Sequence, residues 1–375
     1  GKDNYLSARE NATAVHDEII RTLAKGKMRR VQSRSRLVNR LGFVTKIVDG
    51  RTKHRIVTDA TESTLNESAP SPEPFQMPNP SSVLRFMGPG HAAGLADHSD
   101  AFLHQPVSLR DVGLLGIKSP LTGEYYEYTH LPFGLAASPY AWTKSMEAVR
   151  GAVQRMLDER LGEDLAAFVY LDDWIIVGRT PALVDAALKL ALSLFRRLGL
   201  GVSEHKTQWG STRFTFVGVE IDTVALTMRL PENKRLSYIQ AIDDVLDGLA
   251  ESSAYQVPLE VSRSLAGKLS WAAQVYPAGR TFIKSLWETT ASALASGLRG
   301  RPSPRLERDL RWWKDVLTEG RASRLWPAAS GGLQTWNSSS DPAGEFPCFV
   351  ASSDASGGVN GGWGFECSGS VNERF

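Results

Sequence analysis

The sequence predicts an α+β fold with more than one domain. A chain of 375 residues exceeds what one hydrophobic core usually serves, so two or three domains are expected. Apolar runs that alternate with polar residues or flank turn residues predict β-hairpins at 42–59, 166–178 and 213–230. Helical periodicity, with breaks at Pro277 and Gly279 in the last segment, covers 138–160, 181–199 and 231–325.

Positive charge is concentrated near the start of the chain. Residues 21–55 contain 12 Lys or Arg and one acidic residue, Asp49, although the net charge of the whole chain is only +2. A block of this kind favours a polyanionic partner, most commonly nucleic acid. A solvated basic arm explains the same block equally well, so charge alone leaves both interpretations open.

Several classes of protein do not fit the composition. Two cysteines, Cys348 and Cys367, are too few for a disulfide framework or a four-cysteine zinc site. This low cysteine content suits a reducing intracellular compartment, cytoplasmic or nuclear. No run of about 18 apolar residues is present, so no membrane span is expected. Since the chain starts at Gly1 and stops at Phe375, we expect a fragment of a longer protein.

Adjacent carboxylates indicate where the chemistry lies. Asp172 and Asp173 separate the two apolar runs of the hairpin at 166–178 and would form its acidic tip. Like charges about 4 Å apart repel by roughly 4 kcal/mol at a surface-like dielectric, so a cation is needed to offset them. A solvated turn is the simpler explanation of an Asp-Asp pair. A third carboxylate, Asp97, ends a predicted strand and could face Asp172 to complete a two-metal site.

Three segments, in this order, resemble the palm motifs of retroelement reverse transcriptases. They are Asp97 with Ala101-Phe102, the run Leu131-Pro132-Phe133-Gly134-Leu135 followed by Ser138-Pro139, and Tyr170-Leu171-Asp172-Asp173. The likeness extends over residues 40–325 and is closest to LTR-type and DIRS-type retrotransposons. It implies a right-hand polymerase fold of fingers, palm and thumb. It also implies RNA-directed DNA polymerase activity on a primed RNA or DNA template with dNTPs.

The resemblance implies a metal site as well. Asp97, Asp172 and Asp173 would hold two Mg²⁺ ions, with Mn²⁺ as an alternative, and the backbone carbonyl of His98 would add a ligand. Histidine departs from the small, apolar or basic residue that usually follows the first aspartate of the family.

The nucleotide pocket follows from the same resemblance. Arg55 matches a fingers residue that grips the triphosphate, a role suited to the planar guanidinium fork, and Lys46 or Lys53 could assist. Phe102 matches the steric gate that leaves no space for a ribose 2′-hydroxyl, although a core aromatic is the alternative. Phe133-Gly134 matches the segment that packs against the nucleotide, where glycine permits close approach.

Other positions match residues around the primer and the leaving group. Lys206 matches a lysine that protonates the leaving pyrophosphate. Tyr170 and the turn Phe216-Val217-Gly218 match primer contacts, and Gly267-Lys268 matches a thumb surface that faces the duplex. Each has a simpler explanation: Lys206 as a solvated lysine, the turn as strand core and the thumb glycine as a helix-packing residue.

The end of the chain resembles the start of an RNase H domain. Asp354 would be its first metal-binding carboxylate, and a Gly-rich turn leads from it to a second strand at Trp363. The other strands, the helix and the further acids of that fold are missing from the sequence, so we expect no RNase H activity from it.

Five parts are predicted along the chain. They are a basic helical N-terminal extension at 1–40, fingers and palm at 41–230, thumb or connection helices at 231–326, a linker at 327–345 and a truncated RNase H-like αβ segment at 346–375. Two other functions stay open: a non-catalytic nucleic-acid-binding protein derived from a polymerase fold, and a nuclease or other two-metal phosphotransferase. The three acids favour the polymerase, and a nuclease would have no use for Arg55 and Phe102.

Overall fold

A five-stranded sheet backed by helices forms the first part of the molecule. The computed structural model describes residues 3–48, 51–68, 77–162 and 164–324. The elements up to residue 128 are α1 (Leu6–Glu10), α2 (Ala12–Ala24), β1 (Met28–Val31), β2 (Val38–Val48), β3 (Arg51–Asp59), α3 (Leu65–Ser68), α4 (Pro80–Leu84), β4 (Ala92–Asp97), β5 (Gly116–Lys118) and β6 (Tyr125–Tyr128). The strand order of this fingers sheet is β1-β6-β5-β2-β3, in which only the β2–β5 pair is parallel.

The predicted hairpin at 42–59 is confirmed, whereas the helical extension at 1–40 is wrong in part. Strands β2 and β3 pair from Arg40 opposite Asp59 to Val48 opposite Arg51. The turn Asp49-Gly50 between them lies outside the described residues. Helix ends at Ala24, and β1 then pairs with β6. Strand pairing and the burial of Met28 outweigh helix propensity here.

The N-terminal helices belong to the core of the fingers. Ala8 of α1 and Val15 and Ile19 of α2 are completely buried against the apolar face of the fingers sheet. The two helices therefore form a layer that packs on this sheet.

A second sheet, the palm sheet, has the strand order β7-β8-β4-β9 and is antiparallel throughout. Its new elements are α5 (Ala137–Leu161), β7 (Leu165–Tyr170), β8 (Asp173–Gly178), α6 (Pro181–Arg197) and β9 (Gln208–Ser211), with 3₁₀ turns at Ala101–His104, Val112–Leu114 and Glu204–Lys206. The β7–β8 pair confirms the hairpin predicted at 166–178. Helices α5 and α6 cover one face of the sheet, which explains why the inner strand β4 is buried along almost its whole length.

The starts of α5 and α6 follow different rules. Thr180 caps α6 by accepting a hydrogen bond from the Leu183 amide at 3.3 Å, and Pro181 occupies the first turn. Helix α5 begins at Ala137, one residue before the predicted start, with Ser138 and Pro139 in its first turn and no side-chain cap. The buried Ser138 hydroxyl instead donates to the Pro132 carbonyl at 2.9 Å, since a buried hydroxyl must find a partner.

A small third sheet replaces the hairpin predicted at 213–230. Three strands and a short partner at the end of the described residues form it, in the order β10 (Arg213–Phe216), β11 (Val219–Asp222), β12 (Thr227–Arg229) and β15 (Ser323–Arg324). The prediction missed the second turn. Asp222 makes this turn by accepting hydrogen bonds from the amides of Val224 and Ala225 at 3.1 and 2.8 Å.

Helices dominate the remaining described residues, as predicted. They are α7 (Glu232–Glu251), α8 (Leu259–Ala272), α9 (Lys284–Ser296) and α10 (Leu306–Glu319), with a 3₁₀ segment at Pro277–Ile283 and the strand pair β13 (Val257–Pro258) and β14 (Arg299–Gly300). Their apolar faces share one core with the outer face of the palm sheet and with β10–β12. None of the described helices is both long and apolar enough to span a bilayer.

All described residues belong to one compact unit. The linker predicted at 327–345 and the RNase H-like segment at 346–375, with Asp354, lie outside the described residues.

Candidate active site

The tip of the β7–β8 hairpin and the end of β4 bring the three predicted carboxylates together. Backbone pairing places Asp97 directly opposite Asp173. Asp172 is at the turn between the strands, next to Leu171, whose φ of 54° is unusual for a residue with a side chain. The prediction paired Asp97 with Asp172, whereas the strand register makes Asp173 its direct neighbour.

Burial and like charge act together on these carboxylates. Burial, followed by the charges of Asp172 and Asp97 and a side-chain hydrogen bond with Asp97, raises the pKa of Asp173 to about 7. Burial and then the charge of Asp97 also raise the pKa of Asp172, against the opposing influence of Lys206 and Arg55. The three acids therefore form one electrostatically coupled group in which negative charge is disfavoured.

Lys206 is the cation closest to this group. It lies in the 3₁₀ turn at Glu204–Lys206, and its Nζ donates a hydrogen bond to Asp97 Oδ2 at 2.5 Å. The Asp97 side chain is 14% exposed and that of Lys206 is 43% exposed, so the pair is at the rim of the site. Lys206 is thus a member of the site and not an isolated surface lysine.

Oxygen ligands from carboxylates suit Mg²⁺ and Mn²⁺, and the mutual repulsion of these acids would be relieved by bound cations. Within the described part of the chain, no three His, Cys, Asp or Glu side chains are already arranged around a common ion position. The Lys206 ammonium pairs with the Asp97 carboxylate. The donor set fits divalent ions once this pair opens. The ligand role predicted for the His98 carbonyl stays a prediction.

The His98 side chain has a role that the sequence did not reveal. Its ring is 2% exposed, and Nε2 accepts a hydrogen bond from Trp174 Nε1 at 2.9 Å. Nδ1 lies 3.0 Å from the Gly201 carbonyl oxygen, to which it donates. Burial lowers the pKa of His98 to about 4, so the ring is neutral. The departure from the family pattern after Asp97 was the only signal for it.

Two hydrogen bonds to backbone carbonyls hold the hairpin tip from outside the hairpin. Trp142 Nε1, on α5, donates to the Leu171 carbonyl at 2.9 Å. The His98 amide donates to the Asp172 carbonyl, also at 2.9 Å. These bonds fix both carbonyls at the point where the backbone has a positive φ.

Predicted nucleotide-binding residues from three segments also meet. The rings of Phe102 and Phe133 are 5.1 Å apart between centroids, and the Arg55 guanidinium carbon lies 5.5 Å from the centroid of Phe133. Arg55 is exposed, and its positive charge opposes the rise in the pKa of Asp172. Lys53 is opposite Lys46 in the β2–β3 pair, and their side chains are outside the description.

Gly134 is required by its backbone conformation and its surroundings. Its φ is +102°, and an added Cβ would lie 1.8 Å from the Thr58 carbonyl oxygen. Asn66, which sequence analysis missed, donates to the Gly134 carbonyl at 3.1 Å and accepts from the Ala136 amide at 2.8 Å. Nothing in the sequence around Leu65 indicated that the next side chain makes these hydrogen bonds.

The predicted primer contacts lie on separate elements. Tyr170 is opposite Asp173, and burial followed by the Asp173 charge raises its pKa. Phe216 is fully buried, and Val217 and Gly218 turn the β10–β11 hairpin with φ values of 47° and 76°. This turn geometry favours glycine at both positions, which makes Val217 the unusual one.

Gly267 and Lys268 face outwards on α8. No heavy atom lies within 4 Å of the position of a Cβ on Gly267, so helix packing does not require glycine there. No hydrogen bond between described residues joins either of them to the carboxylates. Their role as duplex contacts stays a prediction.

Comparisons with known proteins agree with this geometry. A profile of the family described as "Reverse transcriptase (RNA-dependent DNA polymerase)" matches residues 48–221, which include β3, the palm sheet and all three carboxylates. Protein P of woodchuck hepatitis B virus (isolate 8) is 24% identical over 170 residues, 45% of this chain and 18% of the relative. Protein P of duck hepatitis B virus (strain Germany/DHBV-3) is 23% identical over 190 residues, 50% of this chain and 23% of the relative. The chain thus spans about a fifth of the length of these relatives.

The polymerase fold has a solved counterpart. The structure of the foamy viral protease-reverse transcriptase dRH in complex with ds DNA aligns with 86% of this chain and 50% of its own, with a TM-score of 0.62 and 17% identity. At this identity the match shows the fold, and it confirms the right-hand α+β architecture for the described elements. Together with the carboxylate hairpin, the profile match identifies residues 48–221 as similar to the reverse transcriptase domain, within a chain that has the polymerase fold.

Proposed function

We propose that this chain is the RNA-directed DNA polymerase of a retroelement, which extends a primer on an RNA or DNA template with dNTPs. The convergence of Asp97, Asp172 and Asp173 carries the proposal, because burial and then the negative charge of the neighbouring acids raise the pKa of Asp172 and of Asp173. Enzymes tolerate such electrostatic stress where function requires it.

The carboxylates are proposed to hold two divalent ions, Mg²⁺ first and Mn²⁺ as the alternative. When bound, the ions would supply charge stabilisation for in-line phosphoryl transfer and lower the pKa of the attacking hydroxyl. Asp97 ends β4 and Asp172 lies in the turn between β7 and β8, so together they would hold ions that neither could hold alone. Asp173, opposite Asp97, adds negative charge that favours cation binding.

Lys206 and Arg55 are proposed to serve the triphosphate. The Lys206 Nζ lies 2.5 Å from Asp97 Oδ2. The ammonium group is therefore close to the place where a leaving pyrophosphate would accept a proton. Arg55 lies above Phe133 and is close enough to influence Asp172, so its fork can hydrogen-bond phosphate oxygens beside the carboxylates. Lys53, which pairs with Lys46 in the β2–β3 hairpin, would add positive charge.

Phe102 and Gly134 are proposed to shape the sugar pocket. Phe102 packs on Phe133 at the start of the segment that contains Gly134. The absence of a side chain on Gly134 keeps this segment tight against Thr58 of β3. A ring held in this way leaves little room for a ribose 2′-hydroxyl, so deoxynucleotides would be selected.

Template and primer are proposed to lie across the palm and thumb. Tyr170 and the turn Phe216-Val217-Gly218 would contact the primer, and Gly267-Lys268 would contact the duplex through its backbone and phosphates. The foamy viral relative, whose structure contains ds DNA, supports nucleic acid as the partner. An LTR-type or DIRS-type element, acting inside the cell, is the proposed source of such an enzyme.

Primer extension tests the proposal. With Mg²⁺ and a poly(rA) template primed by oligo(dT), we expect dTMP incorporation that Asp172→Asn abolishes. Asp111→Asn, which removes an exposed carboxylate on a different loop, is the matched control and should keep wild-type incorporation. Tight primer–template binding by the wild-type chain without extension would contradict the proposal and favour a non-catalytic binding protein.

Nucleotide selection tests the pocket. Phe102→Ala should lower the preference for dNTPs over rNTPs, measured as the ratio of kcat/KM values, by about tenfold or more. An unchanged ratio with a general loss of activity would make Phe102 a core aromatic.

A further inference from the structure

One buried side chain connects the three segments that carry the candidate catalytic groups. His98 follows Asp97 at the end of β4. Trp174, its donor, follows Asp173 at the start of β8. Gly201, its acceptor, lies in the loop that leads to Lys206. The imidazole ring therefore contacts all three segments, and the distances between the catalytic side chains on these segments must stay fixed.

The hydrogen bonds of this ring can be formed in only one way. An indole Nε1 donates and cannot accept, so Nε2 of His98 must be unprotonated. A carbonyl oxygen accepts and cannot donate, so Nδ1 of His98 must carry the proton. The rings of Trp142, Trp174 and Phe195 surround the imidazole, with centroid distances of 5.6, 6.1 and 5.0 Å. Neither the tautomer nor the orientation of the ring can change without breaking a buried hydrogen bond.

The same group of residues fixes the hairpin tip. The His98 amide and Trp142 Nε1 hold the carbonyls of Asp172 and Leu171, each at 2.9 Å. Leu171 has a positive φ, so the tip adopts a conformation that its own sequence does not favour. External hydrogen bonds of this kind are needed to keep such a backbone in place.

We propose, on the basis of the proposed function, that the His98 side chain is a positioning residue. With Trp174 and Trp142 it holds Asp97, Asp172, Asp173 and Lys206 at the separations that divalent ions require. It touches neither substrate nor ion. Its loss should weaken metal binding and slow the chemical step, and should leave the KM for dNTP and the affinity for primer–template unchanged.

Metal binding gives a direct test that does not depend on activity. Mn²⁺ binding to the wild-type chain with primer–template is followed by electron paramagnetic resonance. His98→Phe keeps an aromatic ring but removes both ring hydrogen bonds, and we expect Mn²⁺ affinity to fall by roughly tenfold or more. His98→Gln keeps one donor and one acceptor and should recover most of this loss. Equal Mn²⁺ affinity in all three proteins would overturn the proposal.

Tryptophan variants provide a second arm in case His98→Phe does not fold. Trp174→Phe and Trp142→Phe each remove one donor from the group. Trp313→Phe is the matched control, because Trp313 is fully buried in the helical core and its Nε1 finds no partner among the described residues. Weaker Mn²⁺ binding by the first two variants, with the control unchanged, supports the proposal. Equal effects in all three would reduce His98 and its partners to packing residues.

The histidine tautomer can be observed directly. In a ¹⁵N-histidine-labelled chain, one of the seven histidines should show a protonated Nδ1 and an unprotonated Nε2, and this signal should be lost in His98→Gln. A His98 signal from the opposite tautomer would overturn the proposal. If the wild-type chain fails to extend primers while this tautomer is present, the proposed function fails and the arrangement of His98 stands.

Discussion

Aspartates in the fingers and in the palm have opposite environments. At the end of β3, Asp59 accepts hydrogen bonds from the Tyr5 hydroxyl and from the amides of Thr61 and Glu62, and the Tyr5 bond is the largest cause of its lowered pKa. In the palm, burial and neighbouring acids raise the pKa of Asp173 to about 7. The fingers supply donors to a carboxylate, whereas the palm places carboxylates beside each other.

The difference separates structural from functional use of the same residue. A carboxylate that stabilises the fold is given hydrogen-bond donors, which favour its charged form. A carboxylate that binds cations is left with unrelieved negative charge, at a cost in stability that a functional site tolerates. Asp173 in the palm and Asp59 in the fingers should therefore respond in opposite ways when their surroundings change.

Removal of charge from the palm should abolish activity and stabilise the fold. Asp173→Asn is expected to lower the rate of primer extension by about 1000-fold. The substitution removes several kcal/mol of charge stabilisation, and each loss of about 1.4 kcal/mol slows the reaction tenfold. Its Tm should rise, because one of three coupled buried charges is gone. The measurements are steady-state extension and thermal denaturation.

Asp222→Asn is the matched control for this prediction. Amides of Val224 and Ala225 and the Arg213 side chain support the Asp222 carboxylate, so its replacement should lower Tm and leave extension near wild type. A lower Tm for Asp173→Asn, equal to that of Asp222→Asn, would contradict the distinction.

Arg55 should affect the nucleotide and not the template. Arg55→Ala is expected to raise the KM for dNTP by about 10–100-fold, because a hydrogen bond to a charged group contributes about 1.5–3 kcal/mol. Arg110→Ala, which removes an exposed arginine on another loop, should keep the wild-type KM. A rise in primer–template Kd without a rise in KM would show that Arg55 contacts nucleic acid instead.

The glycine of α8 should separate stability from binding. Gly267→Ala is expected to stabilise the fold by about 0.5–1 kcal/mol, because alanine favours a helix interior and open space surrounds the new methyl group. If Gly267 contacts the duplex, the same change weakens primer–template binding several-fold in a fluorescence titration. Gly151→Ala in α5 should give a similar gain in stability with unchanged binding. Unchanged binding in both variants would remove Gly267 from the interface.

The smallest effect concerns acid stability of the fingers. The pKa of Asp59 is lower in the folded protein than in the unfolded chain, so its charged form stabilises the fold. This stabilisation is complete above the unfolded-state pKa of about 3.9, and it is lost as the pH falls through the folded-state pKa. Tyr5→Phe removes the largest cause of the shift, so stability should fall less steeply below about pH 4. Tyr238→Phe, at a tyrosine buried on α7, is the control, and the measurement is Tm against pH. Identical slopes for the wild type and Tyr5→Phe would show that Asp59 owes its pKa to other donors.

Local patterns predicted the parts of the fold in which one segment determines its own structure. The hairpin at 166–178 was predicted from two apolar runs that flank Asp172-Asp173, and the helix at 181–199 from its helical periodicity. Strand β1 was missed because its pairing with β6, about a hundred residues away, outweighs the local helical signal.

The candidate site shows the same limit. The carboxylates were predicted by motif, but the register that places Asp97 opposite Asp173 depends on long-range strand pairing. The roles of the His98 ring and of Asn66 were invisible, because each depends on partners that only the folded chain brings near. A single sequence marks residue types, and the hydrogen bonds that orient them are tertiary.

Diffraction from a crystal soaked in Mn²⁺, with primer–template and a non-extendable primer end, tests the central claim most directly. Anomalous scattering should show two ions about 3.5–4 Å apart, in contact with Asp97 and Asp172, with the Lys206 ammonium released from Asp97. An intact Lys206–Asp97 pair and Mn²⁺ bound elsewhere would contradict it.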